Sequence, residues 1–388
     1  MVGSDVTAVG GESPGSFSGD FPGKWVDCTG NRLAAPADLP GNGLDGWLER
    51  VACLRAAESV LRELFLAGGF REVTLPVVER VGAERGKEAG PHVAGMGGYR
   101  FLDGEGRVWA LRSDVTPGLA RLVWEGDPGG TRPRRLFYFA EVYRRVPGEP
   151  APTGYLQVGV EVIGGQGARE DAGVLRLAEA VLRSLGVPEF RLTVGHVGIL
   201  REMLGRAGLA GDRTEAVLGA LQSRDYVAVR EVVRSVLAPT EAERLLELLT
   251  WREGSVCLPG RDVPPGKDGS LPGAVPPARE DLGDRWGELR ALFDGGPSPE
   301  RVVLDPGLVR DREYYTGMVF EISLPGVSQP VGGGGRYDGT LSPEPAVGFA
   351  FDLEAVLAAV AKGLAAGRGR ARVSPASLDG RLQVAAIH

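Results

Sequence analysis

The segment YLQVGVE sets Gln157, Gly159 and Glu161 at alternate positions. In a β-strand, residues two apart share a face, so the Gln157 and Glu161 side chains project together with bare glycine between them. Such a face can be a hollow for a ligand or a polar, solvated sheet surface. In LRSDVTPG, Asp114 and Thr116 repeat the spacing at the start of a helix, and LVRDREYYTG supplies Arg310 with the adjacent Tyr314 and Tyr315. One site holding these groups could hold an amino acid. Carboxylates accept hydrogen bonds from an ammonium group, and an arginine takes a carboxylate through charge-assisted bonds. A further Glu and Tyr would fix a polar ligand side chain.

The four consecutive glycines Gly332 to Gly335 invite a different chemistry, the cradling of a phosphate. Spacing argues against it. A P-loop places Lys and a hydroxyl residue after its last glycine, whereas Thr340 and Leu341 follow Gly339 here. The dinucleotide fingerprint fails as well, because Tyr337 or Asp338 falls where its last glycine belongs. The expected role is a strand whose bare backbone approaches a neighbour closely or turns with positive φ.

The elements that must position these residues follow from periodicity. Leu48, Val51, Leu54, Leu61 and Leu64 recur at helical spacing between Leu44 and Ala67. REVTLPVVE reads as one strand containing Pro76, which suits a sheet edge or an interface. YRFLDGEGRVWAL is a hairpin turning at Gly104 and Gly106, and RRLFYFAEVYRR and YLQVGVEVIGG are two further strands. A helix is expected over Gly167 to Leu185, then a strand in EFRLTVGHV. From Gly198 to about Leu249 the pattern is helical; a Pro/Gly-rich stretch and a short helix around Asp281 to Leu292 follow. Strand character returns in RVVLDPG and YYTGMVFEI. This order predicts an α+β fold, a mainly antiparallel sheet flanked by helices with a helical insertion. The expected divisions are a disordered tail over 1–23, a core over 24–197 and 296–362, a mainly helical insertion over 198–295, and an extension over 363–388.

Composition narrows the function classes. The formal charge of −7 argues against nucleic acid as the main partner. The basic run Arg132, Arg134, Arg135, Arg144 and Arg145 is better read as sheet-edge ion pairs. Cys28, Cys53 and Cys257 are isolated, with neither metal spacing nor a disulfide framework, as in a reducing cytoplasm. His92, His196 and His388 are scattered, which leaves no His-rich metal site. No apolar run reaches the roughly 20 residues of a membrane span, and no secretory signal is expected. A cytoplasmic protein without metal or cofactor is the expectation.

At this point a resemblance becomes specific. LRSDVTPGLARL, VYRR with YLQVGVEVIGG, LVRDREYYTGMVFE, and GGRYDG with PAVGFAFDLEAVL come in the order of the catalytic domain of histidyl-tRNA synthetase. The resemblance covers residues 45 to 362 and implies a class II aminoacyl-tRNA synthetase fold. GFREVTLPVVE looks like the dimer-forming first class motif. The resemblance gives Asp114, where the synthetase usually has Glu, and Thr116 a role at the ligand α-amino group. Gln157 and Glu161 match residues that contact the amino acid, Glu161 towards an imidazole. Arg144 matches the second-motif arginine, and Arg310, Tyr314, Tyr315 and Tyr337 fall in the histidine-specific motifs. Asp311 departs from the pattern, standing where that motif normally has Gly.

The third class motif departs further. Its usual form is G-F-A-x-G-x-E-R; here Asp352 stands in place of the glycine and Ala355 in place of the arginine. The loop between Arg145 and Gln157 also lacks Arg. Fixed cations stabilise charge that develops on phosphates, so these changes imply that ATP activation is lost. The short stretch after Lys362 implies no anticodon-binding domain. Together these features resemble the regulatory subunits of ATP phosphoribosyltransferase, silent relatives of the synthetase in histidine biosynthesis. LTVGHVGILREML and ALQSRDYVAVREVV look like segments of that branch. The resemblance implies partnership with a short-form catalytic subunit, a homodimeric core, L-histidine as a candidate ligand, and no tRNA. A divergent or truncated synthetase, or a synthetase-like tRNA- or amino-acid-binding protein, is the alternative.

Overall fold

The computed structural model describes residues 43–81, 98–127, 129–144, 153–250, 292, 297–298, 301–310 and 315–365. Both termini, residues 82–97, 145–152 and 311–314, and most of the Pro/Gly-rich stretch with the expected short helix lie outside the described residues.

An eight-stranded sheet forms the centre. Its strands are β1 (Arg71–Glu72), β5 (Arg134–Arg144), β6 (Thr153–Ile163), β7 (Arg191–His196), β8 (Val302–Leu304), β9 (Met318–Ser323), β10 (Gly332–Arg336) and β11 (Ala346–Asp352). Their order across the sheet is β1-β5-β6-β11-β10-β9-β7-β8. Five of the seven neighbour pairings are antiparallel; only the two outermost, β1 with β5 and β7 with β8, are parallel. A second sheet of three strands holds β2 (Val78–Arg80), β4 (Val108–Leu111) and β3 (Arg100–Leu102), in that order.

Register gives the large sheet two unlike faces. Phe137, Val160, Phe349, Gly334, Phe320 and Val194 are paired neighbours in one row, and every side chain in it is buried. Burying each of the large apolar groups contributes roughly 1.5–3 kcal/mol. Helices α1 (Gly43–Ala67), α3 (Gly167–Ser184) and α8 (Leu353–Ala365) supply buried apolar side chains to the same core, including Leu61, Phe65, Leu175, Leu182 and Val356. Helices α4 (Val197–Arg206), α5 (Asp212–Gln222), α6 (Tyr226–Val236) and α7 (Pro239–Thr250) continue that cluster through Leu200, Leu221, Val233 and Leu249. The opposite face carries the site.

The strand expected across Pro76 is instead two strands in two sheets. Only β1 pairs with β5, and β2 joins the small sheet after a connecting segment. Pro76 has no N–H to give a ladder. Arg112, buried in this junction, holds the segment instead. Its backbone N–H donates to the Val77 carbonyl (2.9 Å), and its guanidinium donates to the carbonyls of Leu75 and Glu141 (both 2.7 Å). Among the described residues, no helix is long and apolar enough to cross a membrane.

Candidate functional site

The site face is built on glycine. Gly159 of β6, Gly348 of β11, and Gly333 and Gly335 of β10 all point to it, and each lacks the Cβ that would block a particular side chain. The Tyr138 phenol lies over Gly159, the Glu161 carboxylate over Gly348, the Tyr315 ring over Gly335, and the Arg310 guanidinium over Gly333. The glycine run is therefore a central strand that lets functional groups lie flat on bare backbone. The hollow expected over Gly159 is corrected in one respect, since the Tyr138 ring fills it.

Glu161 is the hub. Its side chain is 1% exposed, and each oxygen accepts one hydroxyl, Thr116 Oγ1 at Oε1 and Tyr337 Oη at Oε2, both at 2.6 Å. Burial pushes its carboxyl up to about 8, against the lowering effect of those two donors, with the Asp114 charge adding to the rise. Thr116 reaches this position because it opens helix α2 (Thr116–Gly126), which Pro117 helps to start and whose Leu119 and Val123 are buried. Burial, followed by the Glu161 charge, holds the Tyr138 hydroxyl well above its ordinary range. That hydroxyl faces Gln157 Oε1 at 3.4 Å.

The cationic side of the site is held by backbone carbonyls. Arg310 Nη1 donates to the carbonyls of Phe320 (3.2 Å) and Gly332 (3.3 Å), and its buried Nε finds no hydrogen-bond partner among the described residues. Arg144 Nε donates to the Ser113 carbonyl at 2.8 Å, and its guanidinium lies 5.7 Å from the centre of the Tyr155 ring. Beneath the site, Arg336 at the end of β10 pairs with Asp171 of α3 at 2.5 Å and donates to the Gly165 carbonyl at 3.0 Å. Burial pushes the Asp171 carboxyl up despite that arginine.

A cavity of about 840 Å³ opens over this floor. Eight of the nine sequence-derived pocket residues line it: Asp114, Thr116, Arg144, Gln157, Glu161, Arg310, Tyr315 and Tyr337. The ninth, Tyr314, lies outside the described residues, as does Asp311. Asp352 and Ala355 line the wall. Asp352 caps α8, its Oδ1 accepting from the Ala355 N–H at 2.9 Å, so a carboxylate sits where a helix N-terminus would otherwise face an anion.

Several lining residues escaped the sequence reading. Tyr138 carries no signal without the register that sets it opposite Gly159. Gln222, Ser223 and Arg224 come from the α5–α6 turn, and Glu321 from β9. Three members of the basic run form the expected ion pairs, Arg132 with Glu344 and Asp127, Arg134 with Asp127, and Arg135 with Glu170, whereas Arg144 donates to the Ser113 carbonyl and lines the cavity. Arg145 lies outside the described residues. Among the described residues, no cluster of His, Cys, Asp or Glu could hold a metal ion.

Comparison with known proteins places this geometry. The family model described as histidyl-tRNA synthetase matches residues 45–356. A protein of Symbiobacterium thermophilum named ATP phosphoribosyltransferase regulatory subunit is 36% identical over 331 residues, covering 83% of this chain and 79% of that protein. A protein of the same name from Moorella thermoacetica is 34% identical over 90% of this chain and 86% of its own length. A crystal structure described as an ATP phosphoribosyltransferase regulatory subunit/histidyl-tRNA synthetase, from Bacillus halodurans, superposes with a TM-score of 0.67 at 28% identity, covering 80% of each chain. The fold is that of a class II aminoacyl-tRNA synthetase, and the chain belongs to the histidyl-tRNA synthetase-like family and, within it, to the ATP phosphoribosyltransferase regulatory subunits.

Proposed function

We propose that this chain is a cytoplasmic, non-catalytic regulatory subunit that acts with a short-form ATP phosphoribosyltransferase catalytic subunit at the first step of histidine biosynthesis. It binds L-histidine and conveys feedback inhibition. The observation that carries this reading is the contrast between the two ends of one cavity. One end is lined by Asp114 and Gln157, by Glu161 with Tyr337, and by Arg310 and Arg144, groups suited in turn to the ammonium, a polar side chain and the carboxylate of an amino acid. The wall where the family resemblance places ATP phosphates carries Asp352, fixed on the α8 N-terminus, with Ala355 beside it. A fixed carboxylate there repels triphosphate, and the missing guanidinium removes transition-state charge stabilisation.

This reading makes the chain silent in amino-acid activation. Histidine-dependent ATP–pyrophosphate exchange by the purified chain is its test; the expected result is none above background, and clear exchange would restore the synthetase reading. A homodimer is also proposed, through the small sheet. Val78, Leu102 and Val108 of β2, β3 and β4 are exposed there, Leu102 at 68%, and a second copy would cover them. Light scattering on the chain without its partner should give twice the monomer mass; a clean monomer would remove this part of the proposal.

A further inference from the structure

Helices α1, α3 and α4 end alike. In each, two backbone bonds close the last turn around a residue in the left-handed region, and each time that residue is glycine: Gly69 (φ 77°), Gly186 (φ 76°) and Gly208 (φ 81°). Helix α5 ends on the same pair of bonds, Arg224 N–H to the Leu221 carbonyl at 3.0 Å and Asp225 N–H to the Ala220 carbonyl at 2.8 Å. Here the left-handed position holds Arg224, at φ 56°, the only non-glycine residue with positive φ among the described residues. A Cβ in that conformation is strained, and glycine would avoid the strain.

The Arg224 side chain makes a contact that glycine could not. Its Nη2 lies 2.8 Å from Glu321 Oε2 on β9, joining the insertion to the central sheet. Glu321 stands on the site face, in register with Gly333, over which Arg310 lies. Ser223, Arg224 and Glu321 all line the cavity. On the far side of the turn, Asp225 caps α6 by accepting from the N–H groups of Val227 (3.2 Å) and Ala228 (3.0 Å). The turn is thus tied to both of its helices by backbone bonds and a cap.

We propose that Arg224 and Glu321 form a latch that holds the α5–α6 turn over the outer end of the cavity, and that its opening admits and releases the ligand. The latch is weak in itself. The Arg224 side chain is 55% exposed, so solvent and salt screen the pair, and the strained backbone favours release. A weak latch closes the cavity without sealing it. The identity of the ligand rests on the L-histidine reading above; the latch does not.

The test uses the full chain and two variants. Arg224→Gln removes the charge and keeps the Cβ at the left-handed position, so the backbone strain is unchanged and only the ion pair is lost; Glu321→Gln removes the charge from the other side and leaves the turn untouched. Without ligand, hydrogen exchange over Asp212–Val236 should quicken about threefold in both variants, the size expected of an exposed ion pair. Bound L-histidine should dissociate faster by a similar factor, and 0.5 M salt should quicken wild-type dissociation but not that of the variants. Unchanged exchange in Glu321→Gln overturns the latch. Faster exchange with unaltered histidine dissociation overturns its gating role. A wild-type chain that fails to bind L-histidine overturns the ligand reading instead, and the ligand-free exchange still decides the latch.

Discussion

The Glu161 carboxylate occupies the volume that a Cβ on Gly348 would need, the two residues facing each other across β6 and β11. That single relationship ties the glycine-rich strands to the chemistry of the site. The carboxylate lies flat on bare backbone, within reach of Thr116 and Tyr337, because its neighbour has no side chain. Gly348→Ala should displace it. Overpacking of this kind costs about 1–3 kcal/mol of stability. Affinity for L-histidine, read by calorimetry, should fall at least about tenfold, equivalent to roughly 1.4 kcal/mol. A variant that melts normally and binds normally would detach Glu161 from ligand recognition.

The raised Glu161 carboxyl sets a pH dependence whose sign is fixed. Folded, it titrates at about 8; unfolded, near its ordinary 4.5. Between those values the folded chain holds a proton that the unfolded chain has lost, so stability falls as pH rises through the window and levels off above it. Glu161→Gln removes the titration. Its melting temperature should exceed that of the wild type by about 3 °C or more at pH 9 and differ little at pH 5. Parallel melting curves across that range would contradict the assignment.

The Arg336–Asp171 pair anchors the end of the glycine strand to α3, and both side chains are only 9% exposed. Breaking such a pair from one side leaves a buried charge uncompensated, at about 3–5 kcal/mol. Arg336→Ala should therefore destabilise the chain by that amount in urea denaturation. Adding Asp171→Ala should recover part of the loss; strictly additive losses would mean the two residues act independently.

Much of this was legible in the sequence, and the gaps have physical reasons. The aromatic, apolar run of RRLFYFAEVYRR, the alternation of YLQVGVEVIGG, and helical spacing in α1 marked elements whose buried faces dictate their pattern. Asp114, Thr116, Gln157, Glu161, Arg310 and Tyr315 could be named because each sits in a short segment with its own pattern of polar residues, and Arg144 and Tyr337 because the family resemblance points to them. Tyr138 could not, because its role depends on register with Gly159, which local sequence does not encode. The break at Pro76 depends on Arg112, 36 residues further on. Arg224 occupies a helix end with no glycine to mark it, and its partner Glu321 lies 97 residues away.

The most direct test of the central claim is the turnover of a purified short-form catalytic subunit with ATP and phosphoribosyl pyrophosphate, measured with and without this chain. The account predicts that turnover depends on adding the chain and that L-histidine inhibits the combined proteins. A catalytic subunit equally active alone, and unchanged by this chain in rate and in histidine sensitivity, would contradict it.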